Sequence, residues 1–459
     1  MESYTNRTFD ELQIGESITR SHKLTQPDVE GLAFVSGELD AFDGDTARAP
    51  VAEAVAANAL ISGLLQRRLP GPGTEIVAQQ LHYGGTMHVG DEISGTLTVR
   101  EKRPATREVV FDCRVSCGAA ELVSGSVTVI APAQRIALEG LAAPEIVLRH
   151  NDVFARLLRG CRGMPPVPCA VVHPCDHDSL LGPLEAARRG LIVPVLVGPQ
   201  AKIRAAAQAA GADLSGLRIV DTEHSHAAAD AAVAMARSGE VQALMKGSLH
   251  TDELMGAVVA SATGLRTARR ISHVFVLDVP AYPRMLLITD AAINVAPKLR
   301  DKVDIAQNAI ELAQVLGIAQ PRVAILAAVE TVNPDMQSTL DAAALCKMAD
   351  RGQISGGLLD GPLAFDNAVS EAAARTKKIE SAVAGRADIL LAPDLESGNM
   401  MAKQLQYLAG ADSAGIVLGA RVPIVLTSRA DSVRSRLAST VVMALLADAQ
   451  RRKQAAPAG

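Results

Sequence analysis

Apolar positions along the chain keep two different rhythms. In "APVAEAVAANALISGLLQRRLPGPG" (49–73) they recur at helical spacing through Leu60, Leu64 and Leu65, after a proline near the first turn and before a Pro/Gly turn. The runs that follow, "TEIVAQQLHY", "DEISGTLTVRE", "REVVFDCRVSC" and "ELVSGSVTVIAP", alternate apolar with polar residues and are parted by glycine, aspartate or charged turns. The pattern predicts one long helix wrapped by an antiparallel sheet. The stretch "APAQRIALEGLAAPEIVLRHND" (131–152) breaks the strand rhythm with proline and alanine and reads as a connector.

Beyond it the period changes. Short β-branched runs, among them "PCAVVH", "VPVLVG", "LRIVD", "VQALMKG", "HVFVLDV", "MLLITD", "RVAILAAV", "ADILLAP" and "VPIVLTS", alternate with alanine-rich amphipathic helices. This predicts an α/β organisation with a mostly parallel sheet, whose ligands gather at the C-terminal ends of the strands.

Bulk properties narrow the partners. A chain of 459 residues is too long for one core and predicts about three units at ~150 residues each. The net charge of −5 leaves no broad basic field for nucleic acid or an anionic membrane, so an anionic ligand must be met by local groups. Aromatics are 2% of residues and Trp is absent, which argues against base-stacking platforms. Apolar runs such as "GLIVPVLVG" and "VVMALLADA" are too short to span a bilayer, and the polar start "MESYTNRTFDE" is no signal peptide, so a cytoplasmic location is expected. Six cysteines, at 113, 117, 161, 169, 175 and 346, form no paired C-x-x-C knuckle and read as buried thiols of a reducing compartment.

Candidate chemistry falls in both halves. "SGELDAFDGD" (36–45) crowds Glu38, Asp40, Asp43 and Asp45 together without a basic or imidazole side chain: a metal loop, a solvated turn or an altered active site. "HPCDHDS" (173–179) invites a metal reading, but its carboxylates open a helix, where they match the dipole; "DTEHSH" (221–226) reads as a polar loop before a helix. "LMKGSLHTDEL" (244–254) sets Lys246, Gly247, Ser248 and Thr251 at a helix start, where a cation and free N–H groups suit an anion. "LLITDAAINVAPKL" (286–299) leaves a strand into Asp290 and Asn294. "VPIVLTSRADSVRS" (422–435) leaves one into Ser428, Arg429 and Asp431; alone, that triplet also reads as a helix cap beside a surface ion pair.

These motifs, with "GPLAFDNAVS" and "ADILLAPDLESGNMMAKQL", which contains Gly398 and Asn399, occur in an order that resembles the phosphate acetyl- and butyryltransferase family over about residues 150–450. The resemblance implies a two-domain α/β transferase of the isocitrate/isopropylmalate dehydrogenase-like fold, with domain I at 150–270 and 415–455 and domain II at 271–414. It implies acyl transfer between coenzyme A and inorganic phosphate, with coenzyme A as substrate and no tightly bound cofactor. In the family's Ser-Arg motif, Ser428 would donate to the oxyanion, Arg429 bind phosphate and Asp431 serve as base toward the thiol. Phosphate and coenzyme A binding would fall to Lys246, Gly247, Ser248, Thr251, Asp290, Asn294, Gly398 and Asn399, with no metal. Asp431 lies closer to the Ser-Arg pair than in the acetyl branch, and Met255 stands where a phosphate-binding arginine is expected. Both departures favour a butyryl-like subtype. A decarboxylating dehydrogenase of the same fold lacks its tyrosine motif here, since the chain has only four Tyr.

The first 132 residues, through "RTFDELQIGE", "FVSGELDAFDGD" and "VGDEISGTLTV", resemble the MaoC-like (R)-specific enoyl-CoA hydratases, which implies an α+β hot-dog domain followed by a linker at 133–149. Chains fusing this module to a phosphate acyltransferase are similar in plan. The hydratase pattern places Asp and His where this chain has Glu38, Asp40 and Asp43, so the implied site is degenerate. Three readings stay open: a non-catalytic domain for dimerisation, coenzyme A binding or packing; a hydratase with rearranged acid-base groups; and a carboxylate-bound cation. A homo-oligomer is expected, and a coenzyme A-binding scaffold without turnover is the non-enzymatic alternative.

Overall fold

The computed structural model describes residues 4–25, 28, 29, 31, 32, 51–85, 87, 88, 90–138, 153–428 and 431–455. Glu38, Asp40, Asp43 and Arg429 lie outside the described residues. The chain divides into two compact units, Met1–His150 and Asn151–Gly459.

In the first unit β1 (Tyr4–Thr5) pairs with β7 (Ala137–Leu138). The buried Asn6 amide reinforces that closure by donating to Pro72 and Gln134 and accepting from the Ile136 N–H. The remaining strands are β2 (Ser17–Lys23), β3 (Glu75–Tyr83), β4 (Glu92–Arg103), β5 (Glu108–Cys117) and β6 (Ala120–Ile130). They form an antiparallel sheet in the order β2-β4-β5-β6-β3. Helix α1 (Val51–Arg67) presents Ala57, Ile61, Leu64 and Leu65 to Ile93, Leu97, Val99, Phe111 and Val127 of the sheet. The period-2 strands and the i, i+4, i+7, i+8 helix stripe thus meet as one core, each fully buried Leu or Ile contributing about 2 kcal/mol. The helix stops at Arg67, short of Pro70 and Gly71.

The second unit begins with α2 (Val153–Gly160), β8 (Val167–Val172), α3 (His177–Arg188), β9 (Ile192–Gly198), α4 (Gln200–Ala210) and β10 (Arg218–Asp221). It continues through α5 (Ser225–Ser238), β11 (Ala243–Lys246), α6 (Thr251–Val259), β12 (Ser272–Asp278), β13 (Leu286–Thr289) and α7 (Leu299–Val315). Next come β14 (Arg322–Leu326), α8 (Gln337–Asp350), β15 (Leu358–Leu363), α9 (Phe365–Val369), α10 (Glu371–Thr376) and β16 (Ile389–Leu391). Last are α11 (Leu395–Leu408), β17 (Asp412–Leu418), β18 (Ile424–Val425) and α12 (Val433–Ala455).

The strands form one eleven-stranded sheet in the order β10-β9-β8-β11-β18-β17-β12-β13-β16-β14-β15. Pairing is parallel at both flanks but antiparallel at β18–β17, β17–β12 and β12–β13 in the middle. The expected mostly parallel sheet therefore holds within each flank, and three reversals turn one flank against the other. The C-terminal ends of β8, β11 and β18 point to one end of the sheet, and those of β13, β14 and β16 to the opposite end. No helix among the described residues is long and apolar enough to cross a membrane. Of the six cysteines, Cys113, Cys161 and Cys169 are buried; Cys117, Cys175 and Cys346 are only partly so, and none is disulfide-bonded.

Candidate active site

The strand ends β8, β11 and β18 converge through backbone contacts. Gly247 donates its N–H to Val172 at 2.9 Å and Ser248 to His173 at 2.9 Å. A Cβ at Gly247 would lie 2.5 Å from the Val172 carbonyl oxygen, so only glycine lets the two loops touch. His173 closes the junction, its Nδ1 lying 3.0 Å from the Ser248 carbonyl. Lys246, 2% exposed at the end of β11, reaches the Thr427 carbonyl at 3.4 Å. Thr251 opens α6, with Asp252 and Glu253 in its first turn.

Beneath this meeting lies Arg436 of α12, 1% exposed. Its guanidinium donates to the Thr427 hydroxyl at 2.7 Å and to the carbonyls of Lys246 at 3.3 Å and Ser428 at 3.1 Å. Burial pulls it below its ordinary pKa, opposed by the charges of Asp176, Asp431 and Asp178. Asp176 caps α3 through the Ser179 N–H at 2.8 Å. Its burial is outweighed by Ser179, the Ser248 hydroxyl and Arg436, which hold the carboxyl below the usual range. Asp431, also buried, accepts from the Ser428 N–H at 2.6 Å and from Gln406 at 3.4 Å. The Ser428 side chain above it is exposed. One buried guanidinium thus ties Lys246, Thr427 and Ser428 together beside two carboxylates.

Sequence reasoning passed over Arg436, whose one signal was an arginine eight residues past the serine, directly before the apolar positions Leu437, Val441, Val442 and Met443. Met255, in the position expected to carry an arginine, is buried in the α5–α6 core, so that helix offers no cation there. Cys175 lies close by, but burial pushes its thiol up to about 11, leaving it protonated at neutral pH. Among the described residues no three His, Cys, Asp or Glu side chains form a metal-holding group.

Asp290, Asn294, Gly398 and Asn399 gather around the loop after β13, whose Ala292 and Ile293 pack against the cluster that holds Leu249, Leu254 and Leu426. Asp290 follows β13 and accepts from the N–H groups of Ala292, Ile293 and Asn294 and from the Asn294 amide. Burial raises its pKa, against those donors. Asn294 also donates to the Ile271 carbonyl at 2.9 Å and accepts from Arg270 at 2.7 Å. A Cβ at Gly398 would fall 2.6 Å from the Asp290 carbonyl oxygen, and Asn399 donates to the Ala291 carbonyl at 2.9 Å. These four residues brace one loop against α11. Met245 of β11 and Thr289 of β13 share one row of the sheet, and because β13 runs against β11 the chain leaves that row toward Asp290 in the direction opposite to Lys246.

Known proteins resemble the second unit closely. A family model described as phosphate acetyl/butaryl transferase matches residues 226–444. A phosphate acetyltransferase of Rhizobium meliloti is 61% identical over 303 residues, covering 66% of this chain and 96% of that protein. A phosphate butyryltransferase of Clostridium beijerinckii is 42% identical over 294 residues, covering 64% of this chain and 97% of that protein. Among solved structures, a branched-chain phosphotransacylase from Enterococcus faecalis superposes with a TM-score of 0.54 at 28% identity, over 61% of this chain and 99% of that one.

Proposed function

The chain belongs to the phosphate acetyl- and butyryltransferase family, and we infer from that membership that it catalyses the reversible reaction acyl-CoA plus phosphate to acyl phosphate plus coenzyme A. The observation carrying this reading is the 61% identity across 96% of a phosphate acetyltransferase. Coenzyme A is a substrate and not a resident cofactor. In the direction of acyl-CoA synthesis, a thiol of pKa about 8.5 needs a base to attack the acyl phosphate carbonyl at neutral pH. We assign that base to Asp431, whose oxygens keep lone pairs beyond the two hydrogen bonds they accept. The exposed Ser428 hydroxyl donates to the tetrahedral oxyanion, and Arg429 holds the departing phosphate in fork geometry. Lys246 and the Gly247–Ser248 turn add positive potential beside them. No covalent link to the protein is required.

Replacing Arg429 with alanine is expected to abolish acyl-CoA formation from acyl phosphate, and unchanged turnover overturns the assignment. The butyryl-like leaning of the motif spacing stands against the greater identity with the acetyl-named relative, 61% against 42%. We therefore propose that acetyl-CoA is preferred over butyryl-CoA, to be read from arsenolysis rates with acetyl-, propionyl- and butyryl-CoA.

For the second unit, the division into domain I and domain II around a cleft of the dehydrogenase-like fold is part of the same proposal. For the first unit, a helix against a five-stranded antiparallel sheet supports a hot-dog reading, and the carboxylates at Glu38, Asp40 and Asp43 support one without hydratase chemistry. Crotonyl-CoA hydration by the full chain tests this: activity that disappears in Glu38→Gln makes the unit a hydratase. Self-association is proposed through α11, where Met400, Tyr407 and Leu408 form an exposed apolar stripe. Leu408→Glu is expected to lower the mass seen by light scattering.

A further inference from the structure

Gly398, Ala402 and Gln406 follow one another along α11 at i, i+4 and i+8, on a single stripe of the helix. Gly398 and Ala402 are buried, and Ala402 joins the core cluster that holds Leu390 and Ala411. Helical spacing calls for a third apolar residue at the next position, yet the chain places an amide there. A half-buried amide costs stability unless its hydrogen bonds are made. Those of Gln406 are made: its Nε2 donates to the Ser413 hydroxyl of β17 at 3.0 Å and to Asp431 Oδ1 at 3.4 Å.

The two partners differ in kind. Ser413 is buried and braces the amide on the sheet. An ionised Asp431 offers only acceptor oxygens, so the amide must turn its nitrogen toward them. The Ser428 N–H already holds Oδ2 at 2.6 Å. One donor on one oxygen leaves the plane of a carboxylate free to turn, because the Asp χ2 torsion is broad. A second donor on the other oxygen fixes that plane. At 3.4 Å the neutral amide makes a weak bond, which restrains the group without drawing off the lone pairs a base needs.

We propose that Gln406 is a positioning residue that fixes the plane of the Asp431 carboxylate for proton transfer, an inference that rests on Asp431 being the base of acyl transfer. Its role is exerted through Asp431 and not on the substrate. Charge reaches Asp431 from Arg436 of α12, whose guanidinium also faces Asp176 and Asp178 at the start of α3. Arg429 stands two residues before Asp431 in the chain. An uncharged amide leaves that electrostatic setting untouched and supplies direction alone.

Steady-state acyl-CoA formation from acetyl phosphate and coenzyme A, measured on the full chain from about pH 5 to about pH 9, tests the proposal. Gln406→Met keeps the length of the side chain and removes both donors; kcat is expected to fall about tenfold while both KM values stay within about twofold. Gln406→Glu also keeps the length but sets a second carboxylate beside Asp431. Like charge raises the pKa of the base, so the acid limb of kcat is expected to move up by about one pH unit. In an Asp431→Asn background, Gln406→Met is expected to cost nothing further, since no base is left to orient. A Gln406→Met loss that persists undiminished in that background, or wild-type kcat and pH profile in both Gln406 variants, overturns the proposal. Full turnover in Asp431→Asn overturns the base assignment itself, and the positioning role with it.

Discussion

Asp431 and Asp290 each follow a strand, each is buried, and each accepts N–H groups from its own loop. They differ in how many donors they hold. Asp290 collects three backbone donors and an amide, and Ala291 and Asn294 beside it are as buried as it is. Its hydrogen-bonding capacity is spent inside the protein. Asp431 takes one backbone donor, from the residue that carries an exposed hydroxyl, and rests beside a buried guanidinium. A buried carboxylate at a strand end is therefore no mark of chemistry by itself; what separates the two loops is whether a reactive group stays exposed above it.

The largest effect expected from breaking this contrast is Arg436→Met. It would remove the guanidinium whose charge Asp176 and Asp431 face and the donor shared by Lys246, Thr427 and Ser428, costing about 3–5 kcal/mol in urea unfolding; a loss under about 1 kcal/mol would mean the carboxylates do not depend on it. Asp290→Ala comes next, at about 3 kcal/mol, since three amides of its loop lose their acceptor. Acyl transfer per folded molecule should be unchanged, and a selective loss of turnover would move Asp290 into the catalytic group. Asp431→Asn should do the reverse. Its amide oxygen still accepts from Ser428, so stability should stay within about 1 kcal/mol while kcat falls about 100-fold, roughly 2.7 kcal/mol of barrier.

The smallest effect is a pH dependence at His273, whose backbone touches Thr289 and Asp290. His273 is fully buried, and burial drops its pKa from 6.5 to about 4. The unfolded chain then binds a proton that the folded chain refuses. Stability is full above pH 6.5, declines as pH falls toward about 4, and is flat below, with a slope of at most about 1.4 kcal/mol per pH unit. Urea midpoints of wild type and His273→Asn across that range should differ in slope; parallel curves would rule the histidine out as the titrating group.

Much of the fold was legible in the chain. The switch from period 2 to alternating strands and helices matches the change from an antiparallel sheet with one helix to alternating strands and helices, since burying one face of an element leaves its mark in the spacing of Ile61, Leu64 and Leu65 or of Ile93, Leu97 and Val99. Strands β15 and β17 were not picked out. "LLDGPL" contains a Gly-Pro pair and "DSAGIVL" opens on small polar residues, so both depend on their partners in the sheet for existence. The run 422–428 was read as a longer strand than β18, because Thr427 and Ser428 leave the ladder to receive Arg436.

The amino-acid sequence alone determined the two kinds of architecture and the family motifs of the second unit, because periodicity and short motifs are local properties. Tertiary structure alone decided which strand ends meet. Three antiparallel pairings in mid-sheet make the chain leave β13 toward Asp290 in the direction opposite to that in which β11 leads to Lys246, while a helix near the C-terminus brings Arg436 under the junction of three strands. Strand direction and the reach of a buried guanidinium are set by contacts between residues as far as 190 positions apart, and no local pattern records them.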